Sequence, residues 1–288
     1  MPRVEERADI EASLTGVLCI PPGRGRRSLL RLGRERIELL EFTDSAGRPY
    51  PPGSTSTDLW FQHMAIVVSD MKHAHRRVMA NRRFRPISRN GPVRLPDSSG
   101  GVTAFKFRDH DGHPLELLAF PEGRGPGDWC GSDGSGFLGG FPGFLGVDHT
   151  AIAVSDSARS TRFFRSVFGF GVGTGTENRG PEQADLDDVD GVRVSVTRLA
   201  PDLPAPRLEL LRYHAGTRRA IPRDTGSNDI VATHSVIRVA SLDAIAAALA
   251  RRGTPLAGHD LMILRGGMRA ALVTGPDGHR FLAEERGG

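Results

Sequence analysis

Apolar and polar positions along this chain form short strand patterns, with three helical patterns between them. In the segment 61–68, His63 and two apolar residues fall on one face of a strand, and three apolar residues fall on the other. Because both faces are mostly apolar, this strand is predicted to be covered by protein on both sides. The segment 148–154 repeats the pattern, with His149 near its start. Helical patterns begin at polar cap residues and span about 69–81, 155–168 and 241–252.

The recurring unit in these patterns is one strand, one helix and then three strands. Full copies begin near Trp60, Phe144 and Ile230. Residues 1–43 show strand patterns only, including one at 16–20. This region is therefore predicted to be a further copy of the unit that lacks its opening strand and helix.

A glycine-rich segment separates the copies into two groups. Residues 121–146 contain ten glycines, which is typical of a linker. We therefore predict two domains, each holding a pair of units. The first, truncated pair covers residues 1–120, the linker covers 121–145, and the second pair covers 146–288.

A longer internal repeat relates Glu38–Val68 to Glu209–Val239. The offset is constant at 171 residues, since 38 plus 171 is 209, and ten of the 31 aligned positions are identical. Internal repeats dictate architecture and are therefore informative about the whole fold. Each copy starts with a glutamate in an apolar run and reaches a histidine, His63 or His234, on the next opening strand. Both residue types are metal ligands.

The same two residue types recur at equivalent positions of the units. Opening strands carry His63, His149 and His234, and closing strands carry Glu38, Glu116 and Glu209. In the fourth closing strand Leu282 stands where a glutamate is expected, and Glu284 follows two residues later on the same face. A carboxylate buried among leucines is costly unless it is paired or binds a metal.

Two interpretations of this pattern stay open from the residues alone. Neutral imidazoles with carboxylates suit a divalent metal ion, foremost Fe(II), with Mn, Ni, Co and Zn as alternatives. Alternatively, each glutamate pairs with an arginine and each histidine is an ordinary core residue. Arginines are plentiful, since 38 basic residues minus two lysines leave 36. Tyr213 shares a strand face with Glu209 and is a candidate catalytic residue, although packing is the commoner role.

Composition narrows the class of partner to small molecules. The net charge of +4 is modest, the arginines are scattered, and no nucleic-acid-binding motif accompanies them. No apolar run approaches the roughly 18 residues of a membrane helix, and the first residues lack the apolar core of a signal peptide. Two cysteines are too few for a disulfide framework, so a reducing cytoplasm is expected.

Three stretches, residues 61–68, 107–117 and 146–156, resemble the vicinal oxygen chelate superfamily. That superfamily includes glyoxalase I, extradiol dioxygenases, and bleomycin- and fosfomycin-resistance proteins. The resemblance covers nearly the whole chain and implies an α+β fold of tandem βαβββ modules, paired into two curved-sheet cups. It further implies that each cup binds its metal through the opening-strand histidines and closing-strand glutamates of two modules.

Carried over by chain order, the resemblance implies one intact and one damaged cup. The C-terminal cup would use His149, Glu209 and His234, with its fourth ligand lost at Leu282. The N-terminal cup, which lacks its first histidine, would keep Glu38, His63 and Glu116 as a second, vestigial set. Either the natural start lies upstream, or this cup is open or completed by another chain. An exposed sheet edge there would favour a homodimer.

The expected function is a metal-dependent enzyme that chelates a small oxygenated substrate through two neighbouring oxygens. A dioxygenase and an isomerase or lyase fit equally, and an aromatic or secondary-metabolite substrate rests on the resemblance alone. The alternative is a metal-free protein that binds a ligand in the cup, either to sequester an antibiotic or to guide a cyclisation without redox chemistry. Loss of one histidine and one glutamate favours this alternative.

Overall fold

The computed structural model describes residues 3–44, 47–123, 143–201, 206–254, 257–264 and 266–285. Its helices are α1 (Ala12–Val17), α2 (Met71–Met79), α3 (Ser157–Phe168), α4 (Pro181–Asp187) and α5 (Leu242–Ala250). Its strands are β1 (Arg3–Asp9), β2 (Gly25–Leu32), β3 (Glu35–Phe42), β4 (Gln62–Val68), β5 (Arg85–Pro86), β6 (Val93–Arg94), β7 (Thr103–Arg108), β8 (Pro114–Ala119), β9 (Phe144–Ala153), β10 (Gly171–Val172), β11 (Thr176–Arg179), β12 (Arg193–Ala200), β13 (Arg207–Tyr213), β14 (His234–Arg238), β15 (Ala257–Leu264), β16 (Met268–Thr274) and β17 (Arg280–Glu285). None of these helices has the length and apolar character needed to cross a membrane.

The three predicted helices are confirmed as α2, α3 and α5. Each follows a cap residue, Asp70, Asp156 or Ser241, whose side chain accepts a hydrogen bond from the main-chain N–H three residues later. Helix α3 ends at Gly169, which adopts a left-handed conformation with φ of 74° that costs glycine little. The local sequence therefore determines where these helices begin and end.

The prediction of strands alone in residues 1–43 is wrong at α1. Residues 16–20, predicted as a strand, lie at the end of α1 and in the turn after it. Leu14 and Val17 are buried there, because α1 packs against β15. A short apolar run does not by itself distinguish a buried helix from a strand. In chain order, helix α1 lies between β1 and β2.

A ten-stranded sheet contains the second and third units. Its central strands β4 and β9 are the two opening strands, and they pair antiparallel. Each is flanked by the closing strand of its own unit in parallel, β8 beside β4 and β13 beside β9. The result is one complete cup of the predicted α+β, tandem βαβββ type.

The first and fourth units form two smaller sheets that pack together. Strands β1, β2 and β3 form one, and β14, β17, β16 and β15 form the other. Between them lies an apolar cluster that includes Leu14, Leu18, Leu272 and Leu282. Leu282, at the position where a glutamate was expected, is thus part of a core.

The units therefore pair differently from the prediction made by chain order. The structure joins the second unit to the third and the first to the fourth, whereas the sequence predicts pairs within 1–120 and within 146–288. The hydrogen bonds between β4 and β9 determine this grouping, and they join strands that lie on opposite sides of the glycine-rich segment in the sequence. The boundary at 121–145 stays a prediction, and its positions 124–142 lie outside the described residues.

The molecule has two halves, the ten-stranded sheet and the pair of smaller sheets. Two long connections, residues 47–61 and 214–233, run between these halves, and each donates hydrogen bonds to the other. Arg48 donates to Asp229 from its main-chain N–H at 2.7 Å and from its guanidinium at 2.7 Å. Arg219 does the same to Asp58, at 3.1 Å and 2.7 Å. Both pairs are related by the offset of 171 residues, since 48 plus 171 is 219 and 58 plus 171 is 229. The sequence repeat is therefore a structural two-fold relation between the connections.

A cavity of about 2420 Å³ lies between the two halves. Residues of β2, β3 and β14 line much of it, and Leu39 and Val236 are exposed there. Within the described part of the chain, β3 pairs only with β2 and β14 only with β17. The equivalent strands of the complete cup, β13 and β4, are bridged by β9. The cavity thus adjoins β3 and β14, the strands equivalent to the two that β9 bridges in the complete cup.

Candidate functional site

Strand register brings two histidines and two glutamates to one face of the ten-stranded sheet. His63 lies opposite Ala151, and Ala65 lies opposite His149, so both imidazoles are on the same side of β4 and β9. Glu116 is level with Ala65 on β8, and Glu209 is level with Ala151 on β13. The two imidazole rings are 5.7 Å apart between centroids.

The side chains converge on one point. Glu116 Oε2 lies 3.2 Å from His63 Nε2 and 3.5 Å from His149 Nε2. Glu209 Oε2 lies 3.6 Å from His149 Nε2. One ligand atom each from His63, Glu116 and His149 lies within 4.8 Å of the other two. Ligands about 2.1 Å from a metal ion are separated by roughly 3.0–3.4 Å, so a small inward movement would complete a coordination sphere.

Without a cation, the burial of this cluster costs folding free energy. His63 is 3% exposed, Glu116 5% and His149 6%. Neither ring nitrogen of His63 makes a hydrogen bond of good geometry within the described residues, although its Nε2 faces Glu116. A buried polar atom without a partner costs about 1–3 kcal/mol. These residues therefore fit a divalent metal ion, which would occupy the point that both Nε2 atoms face.

Electrostatics favours positive charge at the same point. Burial lowers the pKa of His149, but Glu209, Asp148 and Glu116 outweigh it and raise that pKa to about 10. Burial raises the pKa of Glu116, but His63 and His149 outweigh it and hold that pKa well below its ordinary value. Burial and the nearby Lys106 ammonium lower the pKa of His63. The carboxylates around His149 therefore favour positive charge at this point.

Glu209 is shared between this cluster and an arginine. Arg198 donates from Nε to Glu209 Oε1 at 3.1 Å, while Oε2 faces His149. The same arrangement recurs in the other half, where Arg27 donates to Glu38. The interpretation that glutamates pair with arginines therefore holds for Glu38, and for one oxygen of Glu209.

The structure places His234 apart from this cluster. His234 opens β14 in the four-stranded sheet, and it is close enough to Glu38 to interact electrostatically. Burial lowers its pKa and Glu38 opposes that shift. The predicted set of His149, Glu209 and His234 is therefore divided between the two halves. His63 and Glu116, assigned by chain order to a vestigial cup, lie with His149 and Glu209 instead.

A buried network beside the cluster was missed from the sequence. Lys106 is level with Glu116 across the β7–β8 ladder, and its Nζ donates to Asp187 Oδ1 at 2.6 Å. Gln183 Nε2 donates to Asp187 Oδ2 at 2.6 Å. Burial opposes the charge of Lys106, but Asp187 and Glu116 outweigh it and raise the pKa. A lysine inside the apolar run of β7 was the available signal, in a chain with only two lysines.

Tyr213 belongs to the same network. Its hydroxyl donates to Asp187 Oδ2 at 3.2 Å, and the side chain is buried. It lies on the strand face of Glu209, as the alternation predicts. A catalytic role for Tyr213 stays a proposal, and its observed contacts are those of packing and hydrogen bonding.

Comparisons with known proteins agree with the fold described above. Residues 146–282 match the family described as the Glyoxalase/Bleomycin resistance protein/Dioxygenase superfamily. A comparison with curated proteins finds no match. Among solved structures, the chain is similar to a valine-to-glutamate variant of glyoxalase I from Zea mays, with a TM-score of 0.60 and 14% identity over 98% of this chain and 83% of that one. For another glyoxalase I structure from Zea mays, the TM-score is 0.55 and the identity 15%, over 95% of this chain and 86% of that one.

Proposed function

We propose that this chain, whose residues 146–282 match the Glyoxalase/Bleomycin resistance protein/Dioxygenase superfamily, is a metal-dependent enzyme acting on a small oxygenated molecule. The observation that carries the proposal is the buried convergence of His63, Glu116 and His149. Glu209 supplies a second carboxylate beside them. This set unites two modules that pair through β4 and β9.

The residues have distinct roles in this proposal. His63, Glu116 and His149 hold the ion, which when bound supplies Lewis-acid stabilisation of negative charge on substrate oxygens. Glu209 keeps one oxygen on Arg198 and turns the other toward the site, where it accepts or returns a substrate proton. Lys106, whose Nζ donates to Asp187, adds positive charge beside Glu116 and favours the ionised form of that carboxylate.

The finer assignments extend the same proposal. Two histidines and a carboxylate with open positions suit Fe(II), with Mn, Ni, Co or Zn as alternatives. Ring cleavage by dioxygen and isomerisation or lyase chemistry are both compatible with this ligand set. A homodimer is supported by the unpaired edge of β14 among the described residues, and a cytoplasmic location by the presence of only two cysteines.

The metal content of anaerobically purified protein tests the proposal. We expect about one divalent ion per chain in the wild type, measured by mass spectrometry, and loss of that ion in His149→Ala. A wild type that stays metal-free after reconstitution with Fe(II), Mn(II), Ni(II), Co(II) and Zn(II) would refute it. Matched His234→Ala protein should keep its metal, because His234 lies outside the cluster.

A metal-free binding protein is the second candidate, and the other half of the molecule favours it. There Arg27 neutralises Glu38, Leu282 replaces a glutamate, and a cavity of about 2420 Å³ is available. Under this proposal, chelator-treated protein binds a planar aromatic ligand as tightly as untreated protein, and Leu39→Arg, on the cavity wall, weakens binding. Fluorescence titration with such a ligand distinguishes the two candidates. Binding that requires metal would exclude the second.

A further inference from the structure

The two histidines of the cluster are held differently. His149 Nδ1 lies 2.9 Å from Asp148 Oδ2, while its Nε2 faces Glu116 and Glu209. Asp148 is itself buried, and Arg207 donates to its other oxygen. A chain of contacts therefore runs from Arg207 through Asp148 to the ring of His149 and ends at the candidate metal position.

His63 provides an internal comparison. It occupies the equivalent place on β4, but the residue before it is Gln62, and His63 Nδ1 has no hydrogen-bond partner within the described residues. An aspartate therefore does not precede every histidine that opens a unit, since Thr233 precedes His234. Only one histidine of the candidate site has an acidic residue on its outward nitrogen.

We propose that Asp148, held by Arg207, is a positioning residue that orients His149 for metal binding. This inference rests on the metal site proposed above. A carboxylate at Nδ1 keeps a proton on that nitrogen, so Nε2 is the nitrogen of His149 that would bind the metal. It also fixes the plane of the ring.

Arg207 ties this support to the strand that carries Glu209. Arg207 is two residues before Glu209 on β13, and it lies level with His149 in the parallel ladder. Strand β13 thus carries both Glu209, which faces the site, and Arg207, which holds the aspartate that contacts His149. Asp148 and Arg207 also line the large cavity, so the support is on its wall. Removing such a partner typically weakens metal affinity about 10- to 100-fold.

The test measures the affinity of metal-free protein for Zn(II) by calorimetry and the visible spectrum of the Co(II) form. We expect Asp148→Ala to bind Zn(II) about 10- to 100-fold more weakly than the wild type. Asp148→Asn, which loses the charge but keeps an acceptor for Nδ1–H, should lose clearly less. Gln62→Asn, the matched change on β4, should stay within about twofold, because Gln62 makes no hydrogen bond to His63. The Co(II) spectrum should change in Asp148→Ala and stay unchanged in Gln62→Asn.

The possible failures are distinguishable. A wild type that binds neither metal would refute the proposed metal site and this inference with it. A wild type that binds Zn(II), with Asp148→Ala within twofold of it, would overturn this inference alone. Equal losses in Asp148→Ala and Asp148→Asn would mean that charge, and not orientation, is the contribution, which also overturns it. If Asp148→Ala does not fold, Arg207→Met decides, because loss of the residue that holds Asp148 should weaken Zn(II) binding and alter the Co(II) spectrum. Wild-type affinity and an unchanged spectrum in Arg207→Met would overturn the inference.

Discussion

Removing His63 should abolish the stabilisation that a metal ion gives this protein, whereas removing His234 should not. His63 Nε2 lies 3.2 Å from Glu116 Oε2 within the cluster, and His234 opens a strand of a different sheet. The two variants therefore compare a residue that the structure places in the site with one that chain order placed there. His63→Gln is a second variant that keeps most of the side-chain volume.

The size of the effect follows from linkage. Free metal at 100 times its dissociation constant stabilises the folded state by about 2.7 kcal/mol. For a chain of 288 residues that corresponds to a rise in Tm of roughly 4–5 °C. A variant that binds about 100-fold more weakly, at the same metal concentration, gains only about 0.4 kcal/mol, or about 1 °C. The contrast between His63→Ala and His234→Ala is therefore several degrees.

Differential scanning fluorimetry of each protein, with chelator and with metal, measures this contrast. The metal-free Tm of each variant serves as the folding control, because His63 contacts Phe61 and His149 and its loss also leaves a space. The reasoning would be refuted by a metal-induced shift that survives in both His63 variants and disappears in His234→Ala. That result would restore the grouping of His149, Glu209 and His234.

Three further predictions concern stability. Asp58→Asn should lower the unfolding free energy by about 2 kcal/mol at pH 7, because Asp58 is buried and accepts two hydrogen bonds from Arg219. Burial raises the pKa of Asp58, but Arg219 outweighs it and lowers that pKa from 3.8 to about 2, so this stabilisation is present above pH 3.8 and lost as the pH falls toward 2. Because the guanidinium of Arg219 is partly exposed, the pH-dependent part of this stabilisation is about 1–2 kcal/mol. Urea unfolding at pH 7 and pH 2.5 measures it. Asp187→Asn should cost about 3–5 kcal/mol, because the ammonium of Lys106 is left buried without an anion. Tyr213→Phe should cost about 1 kcal/mol in the same assay and leave the metal content unchanged.

A specific result would contradict each of these three predictions. For Asp58→Asn, a deficit relative to wild type that is as large at pH 2.5 as at pH 7 would show that the charge is not what stabilises. For Asp187→Asn, a loss below 1 kcal/mol would mean that Lys106 finds another partner or releases its proton. For Tyr213→Phe, loss of metal would connect the hydroxyl to the site directly. Asp70→Asn, at an exposed helix cap, is a matched control for removing an aspartate.

Local sequence determined much of this protein. Caps at Asp70, Asp156 and Ser241 marked the helices, because short polar side chains satisfy the first N–H groups of a helix. Alternation in the opening and closing strands placed each histidine and glutamate on the inner face, because successive strand residues point to opposite sides. These are short-range rules, so they could be applied without knowing where any unit lies in space.

Tertiary structure alone decided which units share a cup. The two connections crossing between the halves carry the same Arg and Asp pairs, so the repeat is compatible with either grouping of units. Only the hydrogen bonding of β4 to β9 brings His63 and Glu116 to His149. The buried partnership of Lys106 with Asp187 likewise joins residues 81 positions apart. Such contacts depend on long-range packing, which neither the strand period nor the spacing of residues specifies.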